Sequence, residues 1–210
     1  MMGSPLGLTL TFGAVGAAFA AALWDISARN ARRRDVDLGR LPIALIAAAV
    51  AIAAGSTAHP TAGVVAIGVL VAGIVDARTG FIFHDLTLAT FVALGITAAS
   101  TGTFVDALAA AMMYGIGLFG LFAAYYLIRR RAGMGISDIR VVACIGMGLG
   151  VSYGAVALAC AYGICALYAG ALIALRRAEL ADELRFGPFL AGGTVVGAVA
   201  QTLSLGVLPG

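Results

Sequence analysis

The chain has 210 residues, of which 62% are apolar and 11% charged, against roughly 25% charged residues in a soluble globular domain. With a mean hydropathy of +1.05 it has too little polar surface to clothe a water-facing shell, so an ordinary soluble domain is excluded and lipid is the expected solvent. The net charge of +3 comes from 13 basic residues that are all arginine, and their positions matter more than their sum. Glycine, at 29 residues, is about twice as frequent as usual, which suits helices whose backbones approach closely in a membrane. Cys144, Cys160 and Cys165 lie inside apolar runs without C-x-x-C spacing, so they read as small core residues and not as a zinc knuckle or a disulfide framework.

In chain order, apolar runs between charged or Pro/Gly breaks predict helices at about 5–27, 41–58, 60–75, 86–101, 104–128, 139–151, 153–175 and 188–208. The expected fold is an all-α, polytopic transmembrane helix bundle of about eight spans. The first run has no basic residue before it and an arginine cluster after it, so it reads as an uncleaved helix that starts outside, with Trp24 and Asp25 as an interfacial anchor. Arg29, Arg32, Arg33, Arg34 and Arg40 follow, and Asp35 and Asp37 among them read as hydrated loop charges. The runs 60–75 and 139–151 measure only about 24 Å and 20 Å, against a hydrocarbon core of about 30 Å. Their ends are therefore expected at or just inside the interface.

Arg78 follows the third run, Asp106 opens the fifth as a helix-start acid, and Arg129, Arg130, Arg131 and Arg140 surround the next break. Arg176, Arg177 and Arg185 share the last linker with Glu179, Asp182 and Glu183. Eight spans put segments 28–40, 76–85, 129–138 and 176–187 on one face, and the connections near 56–60, 102–104 and 152–153 on the other. Every arginine then shares a face, which the positive-inside rule makes cytoplasmic, with both termini external. On this topology Ala181 is cytoplasmic and Thr57 external. The chain reads as a single membrane-embedded domain, 1–210, in which 1–40 is an added N-terminal helix and Arg-rich loop before a bundle over 41–208.

Asp76 and Asp138 stand apart from the other acidic residues. Each marks the point where a short apolar helix meets the arginine face, in a loop with small neighbours. An acid at a helix end is commonplace, and it is the pair that carries meaning. Two carboxylates on one face at membrane depth can share a proton, one acting as base and the other as acid, which is the chemistry of an aspartic peptidase. Competing constellations are missing: there is no Ser-His-Asp set and no H-E-x-x-H, and His59 and His84 fall on opposite faces. Neither a metal nor a cofactor is expected, and no nucleic-acid partner.

Three stretches carry a resemblance. The run from Asp76 through Arg78, Thr79, Gly80, Ile82, Phe83 and Asp85 to Leu88 resembles the first aspartate motif of the type IV prepilin peptidases, an Asp leading toward an Ile-Pro pair and a Leu-Thr-Leu helix start. Gly133-Met134-Gly135-Ile136-Ser137-Asp138-Ile139-Arg140 is similar to their second motif, G-x-G-D followed by a hydrophobic residue and a Lys. Arg185-Phe186-Gly187-Pro188-Phe189-Leu190 resembles the F-G-P-F-L segment opening the family's last helix. The matches stand in the family's order and, with the helix pattern, cover roughly 41–208. Each is weak alone, and the ordered set is specific.

The resemblance implies that Asp76 and Asp138 are the catalytic pair, supported by Gly133, Gly135, Ser137, Arg140, Thr79, Ile82, Gly187 and Pro188. It implies a membrane endopeptidase of the bacterial inner membrane that removes the cytoplasmic leader of prepilins or pseudopilins, with the active site at the cytoplasmic face. Three positions depart from the pattern: Ser137 replaces the second Gly of G-x-G-D, Phe83 replaces the Pro, and Arg140 replaces the Lys. Loop 28–40 has no cysteine, so the methyltransferase half of bifunctional members is not expected. The short forms serving Flp or Tad pili, or the archaeal preflagellin type, are the nearest comparison. The alternatives are a small proton- or cation-coupled transporter using the same two acids, and a degenerate pilus-assembly factor. The sequence leaves the oligomeric state open.

Overall fold

The helices of this protein end at glycines and left-handed residues, not at the first charged side chain. The computed structural model describes residues 5–130, 135–177 and 184–203, and the regular structure among them is α-helical. In order it comprises α1 (Pro5–Arg32), α2 (Ile43–Gly55), α3 (Pro60–Thr79), α4 (His84–Ser100), α5 (Phe104–Arg129), α6 (Ile136–Ala174) and α7 (Gly187–Leu203). Among the described residues four helices, α1 from Thr9, α3, α5 and α6, are long and apolar enough to cross a membrane. Gly133, Met134, Arg131, Glu179, Ala181, Asp182, Glu183 and the expected end of the last helix at 204–208 lie outside the described residues.

Boundaries differ from expectation where charge was read as a stop. α1 runs on past 27 to Arg32, and Asp25 and Arg29 pair at 3.1 Å one turn apart along this extension. α3 runs past 75 through Asp76, Arg78 and Thr79, and stops at Gly80, whose φ of 73° closes the helix with an N–H bond to the Asp76 carbonyl at 2.7 Å. α6 begins at Ile136 and not at 139. Both key aspartates, expected in loops, therefore sit in helical turns.

α6 is broken at Gly150, where φ 69° and ψ −172° form a conformation open essentially to glycine alone. The break lies close to the expected connection at 152–153, and the chain reverses there. Gly146 and Gly154, on opposite arms, both face the Tyr114 ring; an added Cβ would lie 2.6 Å and 2.9 Å from its atoms. The Tyr114 hydroxyl donates to the Val151 carbonyl at 2.5 Å, fastening the turn to α5.

α3 is the central helix. Its Ile67, Val71 and Val75 join Leu23, Leu45 and Leu86 in one core, and its Val65 and Val69 join Leu94, Ile145, Leu149 and Leu190 in the other. Small residues bring the helices close: Gly16 faces Ala53, Gly73 faces Ala191, and Gly193 faces Ala157 and Ala161. Arginine-bearing segments gather at one end. Arg78 donates to the Leu38 carbonyl at 2.6 Å and lies over Trp24, Arg34 covers Phe81, Asn30 donates to Asp85, and Arg185 donates to the Ala77 carbonyl. Trp24 is only 5% exposed, so it packs beneath Arg78 and is not the interfacial anchor expected. Cys144 is buried, and Cys160 and Cys165 are half-buried.

Candidate functional site

Asp76 occupies the last turn of α3 and is 7% exposed. Its Oδ2 accepts a hydrogen bond from the Gly187 N–H at 3.0 Å. That donor opens α7, where backbone N–H groups lack helical partners and favour a carboxylate. The contact requires glycine: a Cβ at Gly187 would lie 2.7 Å from both Cβ and Oδ2 of Asp76. One turn earlier, Gly73 meets the Gly187 carbonyl, so α3 and α7 approach almost backbone to backbone. Pro188, the next residue of α7, has no N–H to offer, which leaves Gly187 as the donor. Arg185 completes this side. Its guanidinium binds the Ala77 carbonyl, lies against Gly80, and brings a positive charge to bear on Asp76.

Asp138 is the third residue of α6 and half-buried. Its Oδ2 accepts from the Gly135 N–H at 3.1 Å, and its own N–H donates to the Gly135 carbonyl at 3.1 Å. The first bond is the side-chain half of a capping box, made here by an Asp at the third position, and the second closes the first turn backbone to backbone. Asp76 lies near enough for its charge to act on Asp138. Two helices far apart in sequence thus place two carboxylates at the arginine end, each with one oxygen held by a glycine N–H.

The other predicted residues fall into place around them. Ser137 lies inside α6 and is not among the residues with positive φ, so no left-handed glycine is needed at that position. Phe83, where the resembling motif has Pro, adopts φ −72° and ψ 140° before α4, a backbone that proline would also take. Thr79 Oγ1 donates to the Val75 carbonyl at 2.9 Å and accepts from the Phe81 N–H at 3.1 Å, which shapes the turn after Asp76. Ile82 packs against both cores. Arg140 is exposed, and among the described residues no hydrogen bond or ion pair engages it. Gly133 lies outside the described residues.

Sequence reasoning assigned no role to Arg185 or to the Gly187 N–H, and did not single out Tyr162, on which the charge of Asp138 acts. The available signal for Tyr162 was its spacing, since it lies as far after Gly150 as Asp138 lies before it. Among the described residues no group of three or more His, Cys, Asp or Glu is arranged to hold a metal ion. No known family model matches the chain, and neither a curated protein nor a solved structure matches it.

Proposed function

We propose that the chain is a polytopic inner-membrane aspartic endopeptidase that removes the leader of prepilin-like substrates, with Asp76 and Asp138 as its catalytic pair. The observation that carries this reading is that two carboxylates, from α3 and α6, each oriented by a glycine N–H, lie near enough at one end of the bundle for the charge of Asp76 to act on Asp138. In this reading the two arms of α6 cross separately, eight helical rods span the bilayer, and both termini are external. The arginine end is cytoplasmic by the positive-inside rule, which sets the pair where a cytoplasmic leader meets a membrane-embedded segment.

The mechanism follows from the asymmetry of the pair. Arg185 stands beside Asp76, which favours Asp76 as the ionised partner, while Asp138 holds the shared proton. Asp76 takes a proton from water as the water oxygen bonds to the scissile carbonyl carbon, and Asp138 gives its proton to the carbonyl oxygen. Collapse of the tetrahedral species breaks the C–N bond, with the proton on Asp76 passing to the leaving amine, and proton exchange restores the pair. Ser137 in a helical backbone supports an intact site and not a degenerate one.

The experiment is direct. The purified protein is incubated with a prepilin, and leader loss is read by mass. Cleavage that disappears in Asp76→Asn and in Asp138→Asn supports the reading; persistence in Asp138→Asn sinks it in favour of transport. Cysteines placed at Thr57 and Asp37 should label from the external and cytoplasmic sides respectively, and the reverse at either would overturn the topology.

A further inference from the structure

Tyr114 and Tyr162, two of the tyrosines at the α6 hairpin, use their hydroxyls differently. Tyr114 spends its hydroxyl on Val151 and its ring on the notch between Gly146 and Gly154. Tyr162 is 41% exposed, and among the described residues no hydrogen bond engages its hydroxyl.

The reversal at Gly150 decides where Tyr162 lies. In an unbroken helix Asp138 and Tyr162 would be about 36 Å apart, too far for any electrostatic influence. Folded back, arms of equal length bring them level, and the charge of Asp138 acts on the phenol. Cys165 is the other titratable group acting on Tyr162. The Tyr162 ring also packs against Phe186, with centroids 5.0 Å apart and planes tilted by 35°. Phe186 immediately precedes Gly187, whose N–H holds Asp76. The fit is maintained from behind, where Gly193 of α7 approaches the Ala157 and Ala161 backbone of the same arm and Gly197 approaches the Tyr153 carbonyl and the Ala157 methyl.

We propose that Tyr162 is a positioning residue for the aspartate pair: its ring fixes the Phe186–Gly187 support of Asp76, and its hydroxyl, not engaged in this structure, is the donor that the Asp138 carboxyl takes up when the pair closes on a substrate. This rests on the peptidase reading. A phenol can donate to the carbonyl oxygen of the protonated Asp138 carboxyl, and that bond strengthens as Asp138 gives up its proton and gains charge during the reaction. Ring and hydroxyl make separable contributions, because Phe keeps the first and removes only the second.

The test compares Tyr162→Phe and Tyr162→Leu with the unmodified full-length protein on one prepilin, with Asp138→Asn as control. Tyr162→Phe should lower kcat by about 10- to 100-fold with little change in KM, and should shift the pH–rate profile. Tyr162→Leu should lose more, because the Phe186 support goes with the ring. If Tyr162→Phe keeps the full kcat and profile while Asp138→Asn is inactive, the positioning role is wrong and the aspartate pair stands. If Asp138→Asn still cleaves, the peptidase reading falls and takes this proposal with it. A second measurement needs no substrate: with Cys144, Cys160 and Cys165 changed to Ala, the double variant Asp138→Cys and Tyr162→Cys should be joined in membranes by a short bifunctional maleimide, because a phenol and a carboxyl can meet from backbones farther apart than the roughly 7 Å that a disulfide tolerates. Absence of that crosslink overturns the placement of Tyr162, whatever the activity.

Discussion

α3 and α5 are equally apolar, yet 67% of the first helix's most hydrophobic stretch is buried inside the protein and only 17% of the second's. Hydropathy therefore does not decide which helix is buried and which is outward; what stands opposite its small residues does. α3 places Gly63, Gly68 and Gly73 where neighbours press within 3 Å of a notional Cβ. α5 instead turns Met112, Met113, Ile116, Phe119 and Leu121 outward, and its Gly117 and Gly120 meet nothing. In lipid a large apolar residue gains little by moving inward, whereas a small one permits close backbone packing. The chemistry follows the packing, because the buried helix is the one that delivers Asp76.

The largest expected effect lies at the end of α3. Asp76→Asn and Asp138→Asn should each reduce leader cleavage by at least about 10³-fold without loss of folded protein, since Asn preserves shape and removes the titratable group. The double variant should be no worse than either single one if the two carboxylates serve one step. Activity should fall on both sides of a pH optimum, because the pair must be singly protonated and its two titration steps belong to the pair. A rate that only rises or only falls across the accessible range would contradict shared protonation.

Gly187→Ala comes next. A Cβ there lies 2.7 Å from Asp76 Oδ2, so the variant should lose about 10- to 100-fold in kcat, as expected when a hydrogen bond to a charged group is broken, while its thermal unfolding moves less. Equal activity would mean that the α7 N-terminus does not hold Asp76. By contrast, Asp85→Asn should keep most activity. Asp85 is exposed and meets only Asn30 in the described structure.

Much of this architecture was legible in the sequence. Apolar runs located every helical rod, the split near Gly150 included, because bilayer thickness and helix rise leave few other ways to divide them. The arginine clusters anticipated the end where segments 30–40, 76–85 and 184–187 meet. What the sequence hid was the reach of the helices past charged residues: Asp76 is helical because Gly80, four residues on, supplies the left-handed stop. Also hidden were the backbone donors, since a glycine N–H leaves no signature of which carboxylate it will meet. Trp24 shows the same limit in a side chain. Its neighbour Asp25 suggested an interface, but Arg78 from a distant helix covers it.

The smallest expected effect is the most searching test of the contrast between α3 and α5. Gly73→Ala places a methyl 2.7 Å from Ala191 Cβ and 2.9 Å from the Gly187 carbonyl, and neither neighbour has a flexible end to move aside. It should cost about 1–3 kcal/mol, the usual penalty of overpacking, seen as a lower unfolding temperature in detergent. Gly120→Ala on α5 adds the same methyl in open space and removes the backbone freedom of glycine, so it should be neutral or raise stability by up to about 1 kcal/mol. The two substitutions are chemically identical and differ only in what surrounds them, so helix propensity alone predicts equal shifts. Opposite signs would establish close packing as the cause. If Gly120→Ala destabilises as much as Gly73→Ala, the outward face of α5 is covered by protein, and a loss of association between copies of the chain in the same variant would identify that cover.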